Sequence, residues 1–363
     1  MEFGKKEYLS RKCVWLSFLA MISVILIHSI GILTMQNPAK WNVFAQYLLF
    51  RSFTYWSVPF FFACSGFWFA KGSYMRSGGL FAFWRTKWRT LLAPYVLWAV
   101  IVTLVVMPLT VSNNWLMHRG LWERTVLGQD GIWKCIDWMI GVNQAGPAVN
   151  GPLWYLRSLI LLFAFAPVWR FIAFMRLGRM ILLLLGAIEI LIYPFGVPRL
   201  HFGGSAIGWF ALGMVVALKN WESVRIPKSV IAGAAVVWCG AAFVKCFHMI
   251  GADFFSNELL WRIDALIPVA GIICLWGLYD YSRLACSEPK SWMRATFFVF
   301  CFHQVPAAYL LAIGLYVFGK NDVATLLVAM LDVPVVFCLS FILSGIVRRR
   351  FKVCYGLLTG GRG

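Results

Sequence analysis

The hydrophobic positions of this chain run in long blocks, separated by short charged or Gly/Pro-rich breaks. A helix needs about 20 consecutive apolar residues to cross the hydrocarbon layer of a bilayer. Ten blocks meet or approach that length, at 13–35, 46–70, 91–111, 153–175, 180–195, 203–218, 229–250, 261–279, 295–318 and 323–347. The pattern predicts an all-α integral membrane protein with about ten transmembrane helices. The fifth and sixth blocks are short and bounded by "YPFGVP" and "HFGGSAIG", so they are expected to be tilted, broken or a re-entrant pair. No internal repeat or low-complexity linker divides the chain, which reads as one integral-membrane domain over 1–363.

Composition agrees: 61% of residues are hydrophobic and 13% charged, against about 45–50% and 25% in a soluble domain. The formal net charge of +19 raises nucleic acid as a partner. However, the basic residues are spread over thin loops with no compact polar domain to read a groove, so nucleic acid is not expected. With the N-terminus placed inside, the inner loops hold 22 of the 33 Lys and Arg residues and the outer loops 7. Cytoplasmic loops retain basic residues, so both termini are expected in the cytoplasm. The first block is longer than a signal-peptide core, and no small-residue cleavage site follows it in "GILTMQNP"; it is expected to remain as the first span. The ten cysteines show no metal-like pairing, and only Cys135 falls in an outer loop, so a disulfide framework is not expected.

A charge at mid-bilayer costs about 2.5–3.5 kcal/mol on insertion scales, which makes each ionisable residue there a candidate for function. These are His28, Glu189, Lys245, His248, Asp264, His303 and Asp332. Each also has a plain structural reading, as a hydrogen-bonding group between helices. His28, in "SVILIHSIGI", is followed by four distinctive stretches. "SVPFFFACSGFWFA" (57–70) combines a proline and an aromatic run with Ser65 and Gly66, which permit close helix approach. "FWRTKWRTLLAPYVLWAV" (83–100) leads from Arg85, Lys87 and Arg89 into an apolar span. "GPLWYLRSLILLFAFAPVW" (151–169) holds Trp154 and Arg157, and "FFVFCFHQVPAAYLL" (297–311) holds His303.

In this order and at these intervals, the five stretches resemble the acyltransferase 3 family of integral-membrane acyltransferases, which add acyl groups to sugars of bacterial surface polysaccharides. The resemblance implies a donor, usually acetyl-CoA or another acyl-CoA, taken from the cytoplasm. It implies a carbohydrate acceptor, on a surface or lipid-linked glycan, reached across the bacterial inner membrane among its lipids. It also implies that His28 is catalytic, with His303 as a second site residue. Independently, a hydroxyl attacking a thioester needs a general base, and imidazole titrates near working pH. Arg85 and Arg89 share one helix face while Lys87 points elsewhere; all three suit the phosphates of CoA, and equally suit positive-inside anchoring. Two departures from the family pattern stand out. Counted back from Pro94, its two arginines fall on Lys87 and Thr90, and its basic residue eleven before the histidine falls on Ser17.

At about 1.5 Å per residue, His28 is expected roughly 22 Å from the inner edge and His303 about 12 Å from it, at different depths. Residues 112–152, rich in tryptophan and ending in "GVNQAGPAVNGP", are the expected acceptor region, with Trp154 and Arg157 beside them. The tryptophans fit an interfacial aromatic belt as well. No metal is expected, because the histidines are isolated from acidic residues at ligand spacing. A multi-span transporter remains the alternative on composition, and a catalytically silent relative is a further alternative suggested by the Ser17 and Thr90 departures.

Overall fold

The computed structural model describes residues 2–117, 150–191, 205–252 and 255–362, and no strand occurs among them. The main helices are α1 (Glu2–His28), α2 (Lys40–Phe50), α3 (Ser57–Lys71), α4 (Leu80–Lys87), α5 (Ala93–Met117), α6 (Leu153–Ala164), α7 (Ala166–Phe174), α8 (Gly178–Leu191), α9 (Ala206–Lys219), α10 (Lys228–Met249), α11 (Asn257–Tyr281), α12 (Thr296–Phe302), α13 (Gln304–Phe318), α14 (Asp322–Arg350) and α15 (Lys352–Thr359). Among the described residues, five helical stretches are long and apolar enough to cross a membrane, or seven if each of two bent pairs counts as one span. The blocks at 46–70, 180–195 and 203–218 correspond to shorter helices: α2 and α3 divide the first block, and α8 and α9 have 14 residues each.

Proline accounts for the two broken spans. Between α6 and α7 the chain bends by 58° at Phe165, just before Pro167. Between α12 and α13 it bends by 69° at His303, just before Pro306. A proline within a helix removes one donor and clashes with the carbonyl four residues earlier, so the axis must turn. Pro94 has a related effect: Trp88–Leu92 forms a π turn that joins α4 to α5 and shifts the facing of residues on either side.

Close packing is achieved through glycine. A Cβ on Gly66 of α3 would overlap the Phe210 carbonyl of α9, and one on Gly213 of α9 would overlap the Ala63 carbonyl of α3. The two helices therefore touch backbone to backbone, as small residues permit in membranes. Buried polar groups make further ties. Lys12, 2% exposed, pairs with Asp280 of α11 at 2.6 Å and lies 4.1 Å from the Trp276 ring centroid. Lys245 of α10 pairs with Asp264 of α11, and Glu189 of α8 accepts from the Gly208 backbone N–H of α9.

Candidate active site

α1 ends at His28 because the chain turns at once, with the Ser29 N–H donating to the Leu26 carbonyl at 3.1 Å. A buried amide network fixes that turn. Gln46 Oε1 of α2 accepts from the N–H groups of Gly31 and Ile32 at 2.9 and 3.1 Å, and Gln46 Nε2 donates to Asn42 Oδ1 at 2.8 Å. Asn42 Nδ2 donates in turn to Asp322 and Thr325 of α14 at 2.9 and 3.0 Å. The turn after His28 is thus held by the next helix, α2, and through it by α14, far from α1 in sequence.

The His303 ring lies 5.1 Å from the His28 ring, centroid to centroid. The depth difference expected from the sequence is absent. A count at constant rise assumes one straight span, whereas the chain approaches His303 through the 3-10 turn Ser291–Ala295 and seven-residue α12 before it bends. His303 is fully buried. Its Nδ1 faces the carbonyls of Val299 and Phe300 at 3.1 and 2.8 Å. Carbonyl oxygens only accept, so Nδ1 bears the proton and Nε2 of the neutral ring holds a lone pair. That Nε2 is buried without a hydrogen-bond partner among the described residues.

Further polar atoms gather here, and of their residues the sequence singled out only Asp332. Asn150, also fully buried, donates from Nδ2 to the Cys301 carbonyl at 2.9 Å and leaves Oδ1 unpartnered among the described residues. Oε1 of Gln304, next to His303, is likewise unpartnered, and the Gln304 amide packs against Gly151. The Arg51 guanidinium, at the end of α2, is close enough for its charge to act on His28. Asp332 of α14 is buried near Ser29, the residue after His28. Unpartnered buried polar atoms are costly in a folded protein, so their concentration around one histidine pair marks a place for a polar ligand. The only sequence sign of Asn150 was its position in a Gly/Pro/Asn-rich stretch, and Arg51 gave none.

Towards the other end of α1 lies a cavity of about 360 Å³, lined by residues including Cys13, Ser17, Ser65, Lys87, Tyr155, Phe297, Phe300 and Arg362. Among the described residues, none that lines it is acidic. The cavity takes Lys87 rather than Arg85 and Arg89, both of which are exposed. Lys87 lies on the opposite face of α4, where its ammonium sits 4.1 Å from the Phe163 ring centroid. Ser65 and the Tyr155 hydroxyl share a hydrogen bond at 3.2 Å. From the cavity wall, Tyr155 contacts Phe300 at 5.4 Å and Phe300 contacts His303 at 6.1 Å, ring to ring. The cavity therefore comes within one aromatic layer of the histidines.

Of the other residues taken from the sequence, Trp154 packs on Phe62 at 5.9 Å as part of the core wall. Arg157 lies close enough to Tyr95 for its charge to act on the phenol. Most of the expected acceptor region, 118–149, and the segment 192–204 lie outside the described residues. The nine described cysteines are free thiols. No group of three or more His, Cys, Asp or Glu suited to a metal occurs among the described residues.

Apolar helices around a histidine pair, His303 buried and His28 half-buried, and a basic cavity define a multi-pass membrane protein of the all-α class. The acyltransferase 3 family model, described as an acyltransferase domain, matches residues 15–349, and the chain belongs to that family. No curated protein and no solved structure gave a match.

Proposed function

We propose that this protein is an O-acyltransferase of the bacterial inner membrane, moving an acyl group, in the first instance acetyl, from cytoplasmic acyl-CoA to a hydroxyl of a surface or lipid-linked glycan. The observation that carries the reading is the His28–His303 pair, 5.1 Å between ring centroids, with a basic cavity beside the middle of the same helix, at Cys13 and Ser17. Ser17 and His28 are separated by eleven residues of α1, roughly 17 Å at 1.5 Å per residue. The extended pantetheine arm of CoA suits such a gap, with its phosphates at Lys87 and its thioester at the histidines. Arg85 and Arg89, exposed, add to the field that draws in a polyanion.

In this reaction His28 takes the proton of the acceptor hydroxyl as its oxygen attacks the thioester carbon. The tetrahedral intermediate collapses with loss of the C–S bond, and the proton leaves with the CoA thiol. His303 cannot donate from Nε2, since its proton is held at Nδ1. It serves as a positioning residue: at this ring separation a His28 N–H turned towards it reaches its lone pair, which leaves the other His28 nitrogen as the base. Asn150, Gln304 and Arg157 supply polar contacts for the acceptor, with Trp154 alongside.

The test is transfer of label from acyl-CoA to extracted glycan, by wild type and His28→Ala at equal membrane levels. Loss of transfer in the variant supports the assignment. Equal transfer by the variant removes His28 from the chemistry, and no transfer by wild type favours a transporter or a silent relative.

A further inference from the structure

Arg362 lies beyond the part of the chain that matches the family, residues 15–349, yet it lines the same cavity as Lys87 and Ser17. Its route there is built into the fold. After α14, the short helix α15 folds back onto the bundle: the Trp98 indole N–H donates to the Leu358 carbonyl at 3.0 Å, and Tyr355 stacks on Phe298 with a 19° interplanar angle. Gly360 and Gly361 then adopt φ of 62° and 77°, values that favour glycine because a Cβ is strained there. The Gly361 N–H donates to the Gly356 carbonyl at 2.8 Å. This double turn carries the chain inward and sets the Arg362 guanidinium 4.5 Å from the Phe297 ring centroid. Gly360 lies so close to Thr90 that a Cβ would meet Thr90 backbone atoms at 2.5–2.8 Å. Thr90 and Ser17 are the positions at which basic residues were expected and are missing.

Burial disfavours the charged form of Arg362. The like charge of Arg362 also reaches Lys87, in a space whose described lining residues include no carboxylate. Two partly desolvated cations so placed repel one another unless an anion lies between them. A phosphate supplies that anion, and an arginine fork binds one well.

We propose that Lys87 and Arg362 form a two-cation seat for the phosphate groups of the acyl donor, Arg362 supplying from the fold-back segment a charge that Ser17 and Thr90 do not. The seat rests on the acyl-CoA reading of the site and adds to it a binding residue outside the matched region.

Purified full-length protein in detergent is titrated calorimetrically with coenzyme A and, separately, with inorganic pyrophosphate. Wild type is expected to bind both probes, more weakly as salt is raised. Arg362→Ala is expected to weaken coenzyme A roughly ten- to a hundredfold, as loss of a charge-assisted hydrogen bond does, and Arg362→Lys to fall between. Gly360→Val, which drives the turn off Thr90, is expected to copy Arg362→Ala. Losses in Lys87→Ala and Arg362→Ala are expected not to add in the double variant, since both residues hold one ligand. Binding of coenzyme A by Arg362→Ala and Arg362→Lys as tight as by wild type overturns the seat and leaves the donor reading intact. Arg362-dependent binding of pyrophosphate without binding of coenzyme A keeps the seat and removes the donor reading. Binding of neither probe by wild type removes both.

Discussion

The rings of His28 and His303 lie 5.1 Å apart, although one ends α1 and the other occupies the bend between α12 and α13. Their environments differ. His303 has its Nδ1 proton committed to helix carbonyls and an Nε2 without a partner among the described residues, while His28 feels the Arg51 charge. Two like side chains are thereby given distinct capacities, which is how a site divides roles between similar groups.

The roles separate by substitution. His28→Ala is expected to lower transfer by roughly 10²- to 10⁴-fold, the usual worth of a general base. His303→Gln, whose amide oxygen can still accept a hydrogen bond, is expected to keep more activity than His303→Leu. Transfer rates for the three variants at equal protein levels decide the matter, and equal losses in the Gln and Leu variants exclude the positioning role.

The acceptor is expected to report on Asn150. Asn150→Ala removes an oxygen that has no partner among the described residues, so its main effect should fall on KM for the glycan and not on KM for acyl-CoA. A change confined to donor KM assigns Asn150 to the other substrate.

Gln46→Leu tests the network that holds His28. It leaves the Gly31 and Ile32 N–H groups buried and unpaired, at a cost of about 1–3 kcal/mol each. The expected result is a lower unfolding temperature in detergent together with reduced transfer. Retained stability and activity show that the turn after His28 holds without Gln46.

The Lys245–Asp264 pair separates an enzyme from a transporter. Lys245→Met alone strands a partly buried carboxylate and is expected to destabilise the protein, whereas Lys245→Met with Asp264→Leu should recover stability. Acyl transfer by the double variant is expected at the wild-type rate, because the pair joins α10 to α11, whereas the histidines sit at the end of α1 and at the bend between α12 and α13. Abolished activity in a stable double variant places the pair on a functional path.

Gly66→Val is expected to reduce folded protein sharply, because a side chain there meets the Phe210 backbone of α9 and backbone yields less readily than a flexible side chain. Size-exclusion recovery from membranes measures it; normal recovery refutes the close approach.

The sequence by itself determined the class of protein. Apolar blocks of bilayer length with basic punctuation leave a helical membrane protein as the only reasonable outcome, since every backbone polar group in lipid must be satisfied within its own segment. Local motifs also singled out His28 and His303, because ionisable groups are rare inside such blocks, and grouped Lys87 with Arg85 and Arg89 in the basic stretch before the third block. The tertiary structure decided how these residues meet. Linear counting along ideal spans put the histidines at different depths, but Pro306 bends the later span and brings His303 to His28. The same limit hid the cavity. Periodicity grouped Arg85 with Arg89, yet the packing of α4 and the π turn after it exposes both and turns Lys87 inward, into the cavity shared with Arg362 from a segment nearly the whole chain away from Ser17. Local pattern records which residues lipid tolerates; bends, glycine contacts and chain reversals set which side chains share a space, and those depend on contacts distant in sequence.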